Sequence, residues 1–231
     1  MNLLKTTFLL LFCSSNLFSQ EIKKGLILPK NEETFKPCCI YIPSDGIRVY
    51  DQDMNSIGRL IHGELSNSES YEAFFLNSEG IKQSLNPRLF MVGYEVMALT
   101  YSDINDKLVK IENIGWLKLE ELESSELIAI DWLNYLQTKR DVLGYYANEP
   151  GFDLRTAPNI NSEKIVTAKG DLYQITPLAN NSGKWCKVKV TKYKKHPCSG
   201  EQDLIEHEYL GWMKIISDND TPNLWSYGKG C

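Results

Sequence analysis

The sequence predicts a mainly β fold: two small barrels joined by a packed α-helix. Three observations carry this expectation. Short apolar runs alternate with turn residues along most of the chain. That pattern occurs twice, in the same order. Between the two occurrences, apolar residues recur at helical spacing. A length of 231 residues accommodates two such units. The 42% hydrophobic content is enough to bury a core, which excludes a disordered chain. The net charge of −5 argues against a general nucleic-acid binder, because phosphate affinity needs clustered positive charge. Three histidines, His62, His196 and His207, give little material for a His-based metal site, and no cofactor motif is present.

Residues 1–20 read as an address. Lys5 precedes an apolar run from Phe8 to Phe12, and small and polar residues follow, ending in Ser19-Gln20. This is the order of a secretory signal. The run is too short to span a bilayer, which takes ~20 apolar residues, and no later segment is longer, so no membrane span is expected. Cys13 is read as part of the leader, because the bulky Phe12 stands where a lipoprotein signal needs a small residue. A Ser-Gln junction before an acidic residue resembles secretory signals of Bacteroidetes-type bacteria. The expected residence is periplasmic or secreted, where disulfides persist. Losing Lys5 with the leader makes the remaining chain one charge more acidic.

The repeat begins at an offset of 105, where Ile40 to Val49 aligns with Tyr145 to Leu154. Later matches use other offsets. Tyr94 to Leu99 aligns with Tyr173 to Leu178, Lys107 to Ile111 with Lys184 to Val188, and Gly115 to Leu119 with Gly211 to Ile215. The clearest strand is Trp185 to Val190. Its period-two alternation puts Cys186, Val188 and Val190 on a core face and Trp185, Lys187 and Lys189 outside. Gly170-Asp171 and Asn180 to Gly183 read as turns. Gly211 reads as a close backbone approach at a strand start.

Four signatures of the second unit now stand in order: Leu154-Arg155-Thr156-Ala157-Pro158, Gly170-Asp171, Gly183-Lys184-Trp185-Cys186-Lys187-Val188 and Gly211-Trp212-Met213. Over residues 144–216 they resemble the bacterial SH3 (SH3b) domain. The first unit is a degenerate version. It keeps Gly46, Val49 and Gly115-Trp116, lacks the Pro and the Gly-Asp, and has Leu108 in place of Trp185. The resemblance implies SH3-like barrels and noncovalent recognition of peptides or wall material. The expected organisation is a leader over 1–20, a degenerate unit over 37–121 with an insertion at about 64–90, a helical connector over 122–141, and a second unit with a tail over 142–231. The insertion and its exit, with Tyr71, Phe74, Phe75, Leu89, Phe90 and Met91, read as an extra hairpin packed internally, with a binding flap as the alternative.

The connector expectation rests on Leu127, Ile130, Leu133 and Leu136 at i+3, with Trp132 widening the stripe. Ser124 or Ser125 would cap it, Glu126 would sit in its first turn, and Lys139 and Arg140 in its last. So apolar a segment is expected to pack against one or both barrels.

Without the leader, Cys38, Cys39, Cys186, Cys198 and Cys231 remain. An odd count leaves at least one unpaired or pairing between chains. Cys186 is the expected free, buried thiol. A Cys198–Cys231 disulfide would close a loop of about 33 residues and contribute ~3–4 kcal/mol in the chain-entropy model. The segment His196-Pro197-Cys198-Ser199-Gly200 resembles the nucleophile motif of NlpC/P60 cysteine peptidases. Thiol chemistry needs a thiolate beside a His, which a helix N-terminus favours, and the acidic residues after Cys198 oppose it. Catalysis is therefore not expected. The lysines 184, 187, 189, 192, 194 and 195 read as a solvated face protecting a strand edge.

The functional expectation is an exported, non-catalytic binding protein with no cofactor. Its partner would be a peptidoglycan peptide or an envelope protein. An inhibitor or immunity-type protein blocking a secreted effector is the alternative. By position, Tyr146, Arg155, Trp185 and Trp212 would line a ligand groove, with Tyr41 and Trp116 as first-unit counterparts. One prediction follows from the cysteine arithmetic: the native chain without its leader titrates fewer than five thiols, and reduction raises the count to five. Five in the native form would remove the disulfide.

Overall fold

The computed structural model describes residues 22–30, 42–64, 71–85, 98–138, 144–199 and 201–226, with the backbone alone at 62–64, 71, 72 and 198. The leader, Cys38, Cys39, Tyr41 and Cys231 lie outside the described residues.

The chain is mainly β, as expected. In order it forms β1 (Gly25–Pro29), β2 (Ile47–Tyr50), β3 (Ser56–Glu64), β4 (Tyr71–Asn77), β5 (Lys82–Ser84), β6 (Leu99–Tyr101), β7 (Asp103–Ile104), β8 (Leu108–Ile111), β9 (Gly115–Lys118), α1 (Leu119–Ser124), β10 (Leu127–Asp131) and α2 (Trp132–Thr138). The second half forms β11 (Tyr145–Ala147), β12 (Phe152–Arg155), β13 (Lys164–Ala168), β14 (Tyr173–Ser182), β15 (Trp185–Tyr193), β16 (Ile205–Lys214) and β17 (Leu224–Ser226). Two sheets of seven strands and one of three result, and every strand pair is antiparallel. The expected barrels take the form of open sheets: in the second, the end strands β13 and β17 do not pair with each other.

The repeat is visible in strand order and register. The second sheet runs β13-β12-β16-β15-β14-β11-β17. The first half runs β3-β2-β9-β8-β7, then continues from β6 through β1 to β10. Strands β6 and β7 are two pieces of one path along β8, since Ser102 between them donates its backbone N–H to the Lys110 carbonyl at 2.8 Å. Together they occupy the place of β14. The aligned residues also pair alike. Tyr50 faces Trp116, and Trp116 faces Lys110. Arg155 faces Trp212, and Trp212 faces Lys187.

Glycine enforces this geometry at two repeated places. A Cβ on Gly115 would lie 2.7 Å from the Tyr50 carbonyl oxygen, and one on Gly211 would lie 2.6 Å from that of Arg155. Gly211 lies inside β16 rather than at its start, so the close approach is real but placed mid-strand. Gly46 and Gly151 adopt φ of 73° and 103°, and a Cβ on either would crowd the carbonyl of Leu60 or Ala168.

The equivalence moves the unit boundaries. The alignment set Ile40 to Ile42 against β11, yet the strand beside β6 is β1, and Ile42 is buried outside any strand. The first repeat therefore runs from β1 through β10, wider than the expected 37–121.

The expected helical connector over 122–141 is, in its described part, a helix end, a strand and a second helix. Ser124 and Ser125 do not start a helix. Their hydroxyls donate to the Glu121 carbonyl at 3.0 and 2.8 Å and close α1. Glu126 takes a left-handed φ of 56°, and Leu127 to Asp131 pairs along β1 as the counterpart of β17. Asp131 then accepts the Asn134 backbone N–H at 2.9 Å, opening α2. Trp132, Tyr135 and Leu136 of α2 are buried in the core of the second half.

The three-stranded sheet β10-β1-β6 separates two cores. Ile27, Leu99 and Leu127 belong to the core of the first half, with Val49, Leu60, Val109 and Leu117. Leu26, with Leu28 and Ile130 beside it, belongs to the other core, with Leu154, Ile175, Val188, Met213 and Leu224. A strand buried on both faces must be apolar throughout, which is why β1 reads Gly-Leu-Ile-Leu-Pro.

The insertion contributes the hairpin β4–β5, which extends the first sheet beyond β3 and buries Ala73 and Leu85. Leu89, Phe90 and Met91 lie outside the described residues. No helix among the described residues is long and apolar enough to cross a membrane. Gly211→Ala is expected to lower stability by about 1–3 kcal/mol through backbone overpacking, and Gly115→Ala by a similar amount. Thermal unfolding measures this; unchanged midpoints would contradict the shared geometry.

Candidate functional site

Two equivalent rows of side chains cross the sheets on the faces away from the core. The alternation that buries Val49, Leu117 and Val109 fully turns Tyr50, Trp116 and Lys110 to the other face. In the second sheet, Leu154, Met213 and Cys186 are the buried counterparts of Arg155, Trp212 and Lys187. Trp116 and Trp212 are half-buried, so neither is a core residue.

Local contacts occupy both rows. The Lys110 ammonium lies 5.5 Å from the Trp116 ring centre, and that of Lys118 lies 4.7 Å from the Tyr50 ring. The Tyr50 hydroxyl donates to Glu121 at 2.6 Å. Arg155 donates to the Ser162 carbonyl at 2.7 Å and to Asp153 at 2.8 Å, leaving its Nε buried without a hydrogen bond. Asp153 also accepts from Thr167 at 2.6 Å. Arg155 thus holds the β12–β13 turn.

The five described residues among those expected at a ligand groove are not gathered at one place. Arg155 and Trp212 are neighbours, and Trp185 shares their sheet, opposite Lys214. Trp116 lies in the other sheet. Tyr146 is buried on β11 with its backbone paired to Trp225. Tyr41 lies outside the described residues.

A cleft of ≈ 410 Å³ opens where the two halves meet. It is lined by Lys24, Thr100, Tyr101, Ser102 and Glu112 from the first half, Trp132 from α2, and Asn148, Thr221, Pro222 and Trp225 from the second. Trp132 and Trp225 meet edge to face, their ring centres 6.2 Å apart. Asn148 donates to the Pro222 carbonyl at 3.1 Å, which fixes one wall. Concave, aromatic and sited between units, this is a favoured setting for a ligand. A second cleft of ≈ 460 Å³ at the same junction is lined by Asn105, Asp106 and Asp131 together with Asn134, Asn181 and Gly183. Sequence reasoning missed the first cleft because its two tryptophans were assigned to a helical stripe and a tail. The available signal was their position: Trp132 directly follows the strand that closes the first repeat, and Trp225 sits within the strand that closes the second.

The lysine-rich hairpin does not guard an edge. Strand β15 lies between β14 and β16. Lys189 and Lys192 pair across to Glu208 and Glu206 at 2.5 and 2.8 Å, and Lys195 pairs with Glu201 at 2.7 Å. These cross-strand pairs neutralise the stripe. Lys184 is buried, 2.7 Å from Asp220 and donating to the Asp218 carbonyl at 2.9 Å. Asp220 also accepts the Lys23 backbone N–H at 3.3 Å, so one carboxylate joins the two halves.

Cys186 is free and fully buried, as expected. Its thiol donates to the Leu178 carbonyl at 3.1 Å, and Gln137 Nε2 lies 3.3 Å from the sulfur. Burial pushes its pKa up, outweighing those hydrogen bonds. Around Cys198 the chain forms only a three-residue 3-10 turn, Pro197–Ser199, rather than a helix. The Cys198 side chain lies outside the described residues, as does its expected partner Cys231. Among the described residues no group of three His, Cys, Asp or Glu is placed to hold a metal. No family model, curated protein or solved structure matches this chain.

The buried thiol has a measurable consequence. In native protein at pH 8, Cys186 is expected to resist iodoacetamide and to react once denaturant is added, as peptide mapping would show. Rapid native labelling would contradict its placement.

Proposed function

We propose that this chain is an exported, noncovalent recognition protein of the cell envelope, with two SH3-like units that together bind a wall peptide. The observation that best supports this reading is the cleft between the halves. Its aromatic wall, which includes Trp132 of α2, provides apolar contact area, and residues of both repeats supply its polar rim. Such a surface binds by burial and hydrogen bonding and needs no reacting group. In this reading Arg155 and Trp116 are scaffold residues, their side chains committed to neighbours in the sheet, and the ligand contacts come from the junction.

Retention of the chain lacking residues 1–20 on purified peptidoglycan at low salt tests the proposal. Wild type and Trp185→Ala are expected to be retained. Trp225→Ala is expected to weaken retention by about tenfold or more, as truncation of a buried aromatic anchor does, with thermal unfolding followed to exclude loss of fold. No retention of the wild type would sink the wall-binding reading.

A further inference from the structure

We infer that the ligand of the junction cleft is zwitterionic, with Lys24 receiving a carboxylate and Glu112 receiving an ammonium. This rests on the recognition reading above and specifies its ligand.

Lys24 and Glu112 are the two charged residues of the cleft lining, and they are of opposite sign. Neither has an ion-pair partner among the described residues, although charges close by in the chain do. Lys23 lies 3.9 Å from Asp103, and Lys30 lies 3.4 Å from Glu123. Nor do Lys24 and Glu112 pair with each other. Among the described residues, two opposite charges therefore line one cleft with neither in an ion pair.

Both are held by rigid backbone. The Lys24 carbonyl accepts the Trp132 backbone N–H at 3.2 Å, which ties Lys24 to the start of α2 and to the aromatic wall. Glu112 follows the buried Ile111 and enters the tight β8–β9 turn, where Asn113 adopts φ of 62° and Ile114 donates to the Ile111 carbonyl at 3.2 Å. Lys24 is half-buried, where reduced solvent strengthens a charge contact, and Glu112 is exposed. A neutral ligand can hydrogen-bond to these two groups but gains no ion-pair attraction from them. A purely anionic ligand meets Glu112, and a purely cationic one meets Lys24. A short peptide bearing a free ammonium and a free carboxylate satisfies both, while its backbone amides face Asn148 and Thr221.

The test uses the chain lacking residues 1–20 and two probes in calorimetric titration: the unblocked tripeptide Ala-Glu-Lys, and an uncharged tripeptide with blocked termini, Gln for Glu and acetyl-lysine for Lys. The unblocked peptide is expected to bind more tightly and to weaken as salt rises. Lys24→Glu and Glu112→Lys should each weaken it by about two- to fivefold, the scale of exposed charge pairs. The double swap Lys24→Glu with Glu112→Lys should restore part of the loss, because a zwitterion can bind reversed. Equal binding of the two peptides, no binding of the unblocked one, or unchanged affinity in both single variants would overturn the inference. Peptidoglycan retention that survives both single charge reversals but not Trp225→Ala would leave the recognition reading standing and reject the zwitterion.

Discussion

The structure depends on one small sheet being buried on both faces. Strand β1 pairs with β10 on one side and with β6 on the other, so its backbone groups find partners within the sheet. Its side chains then divide. Leu26 enters the core of the second half and Ile27 that of the first, both almost fully buried. At ~25 cal/mol per Å² of apolar surface, each such side chain contributes about 1.5–3 kcal/mol. Neither core is complete without this sheet. The Asp220 carboxylate reinforces it, accepting from the Lys23 backbone just before β1 while pairing with buried Lys184.

The functional surface follows from that arrangement. Because β10 ends at Asp131, and Asp131 caps α2, Trp132 falls at the junction and not on either outer face. Trp225 closes the second repeat on β17, the strand equivalent to β10, and meets Trp132 edge to face. Lys24 is placed by its backbone bond to Trp132. The cleft is thus a product of two closing strands meeting across a shared sheet, and it would not exist in an isolated repeat.

Much of this was legible in the residues. The alternation from Trp185 to Val190 is reproduced position by position, and the aligned Lys110 and Lys187 do face the aligned tryptophans. Gly211 was recognisable as a close approach because no side chain fits against a neighbouring carbonyl. The connector misled because Leu127 to Ile130 is apolar throughout. A short continuous apolar run has no period, so strand and helix cannot be told apart from it, and serines that end α1 resemble serines that would begin a helix. The lysine stripe misled for a different reason: its glutamate partners lie on β16, distant in sequence, and only the pairing shows them. The groove residues were chosen by repeat position, whereas the cleft forms between repeats, a relation that no single unit encodes.

The central claim is that the shared sheet fuses two repeats into one cooperative body with the cleft at its seam. Scanning calorimetry of the chain lacking residues 1–20 tests it most directly, with Leu26→Ala alongside. The account predicts a single transition whose calorimetric and van't Hoff enthalpies agree, shifted down as a whole in Leu26→Ala. Two separate transitions in the wild type, with the substitution moving only one of them, would contradict it.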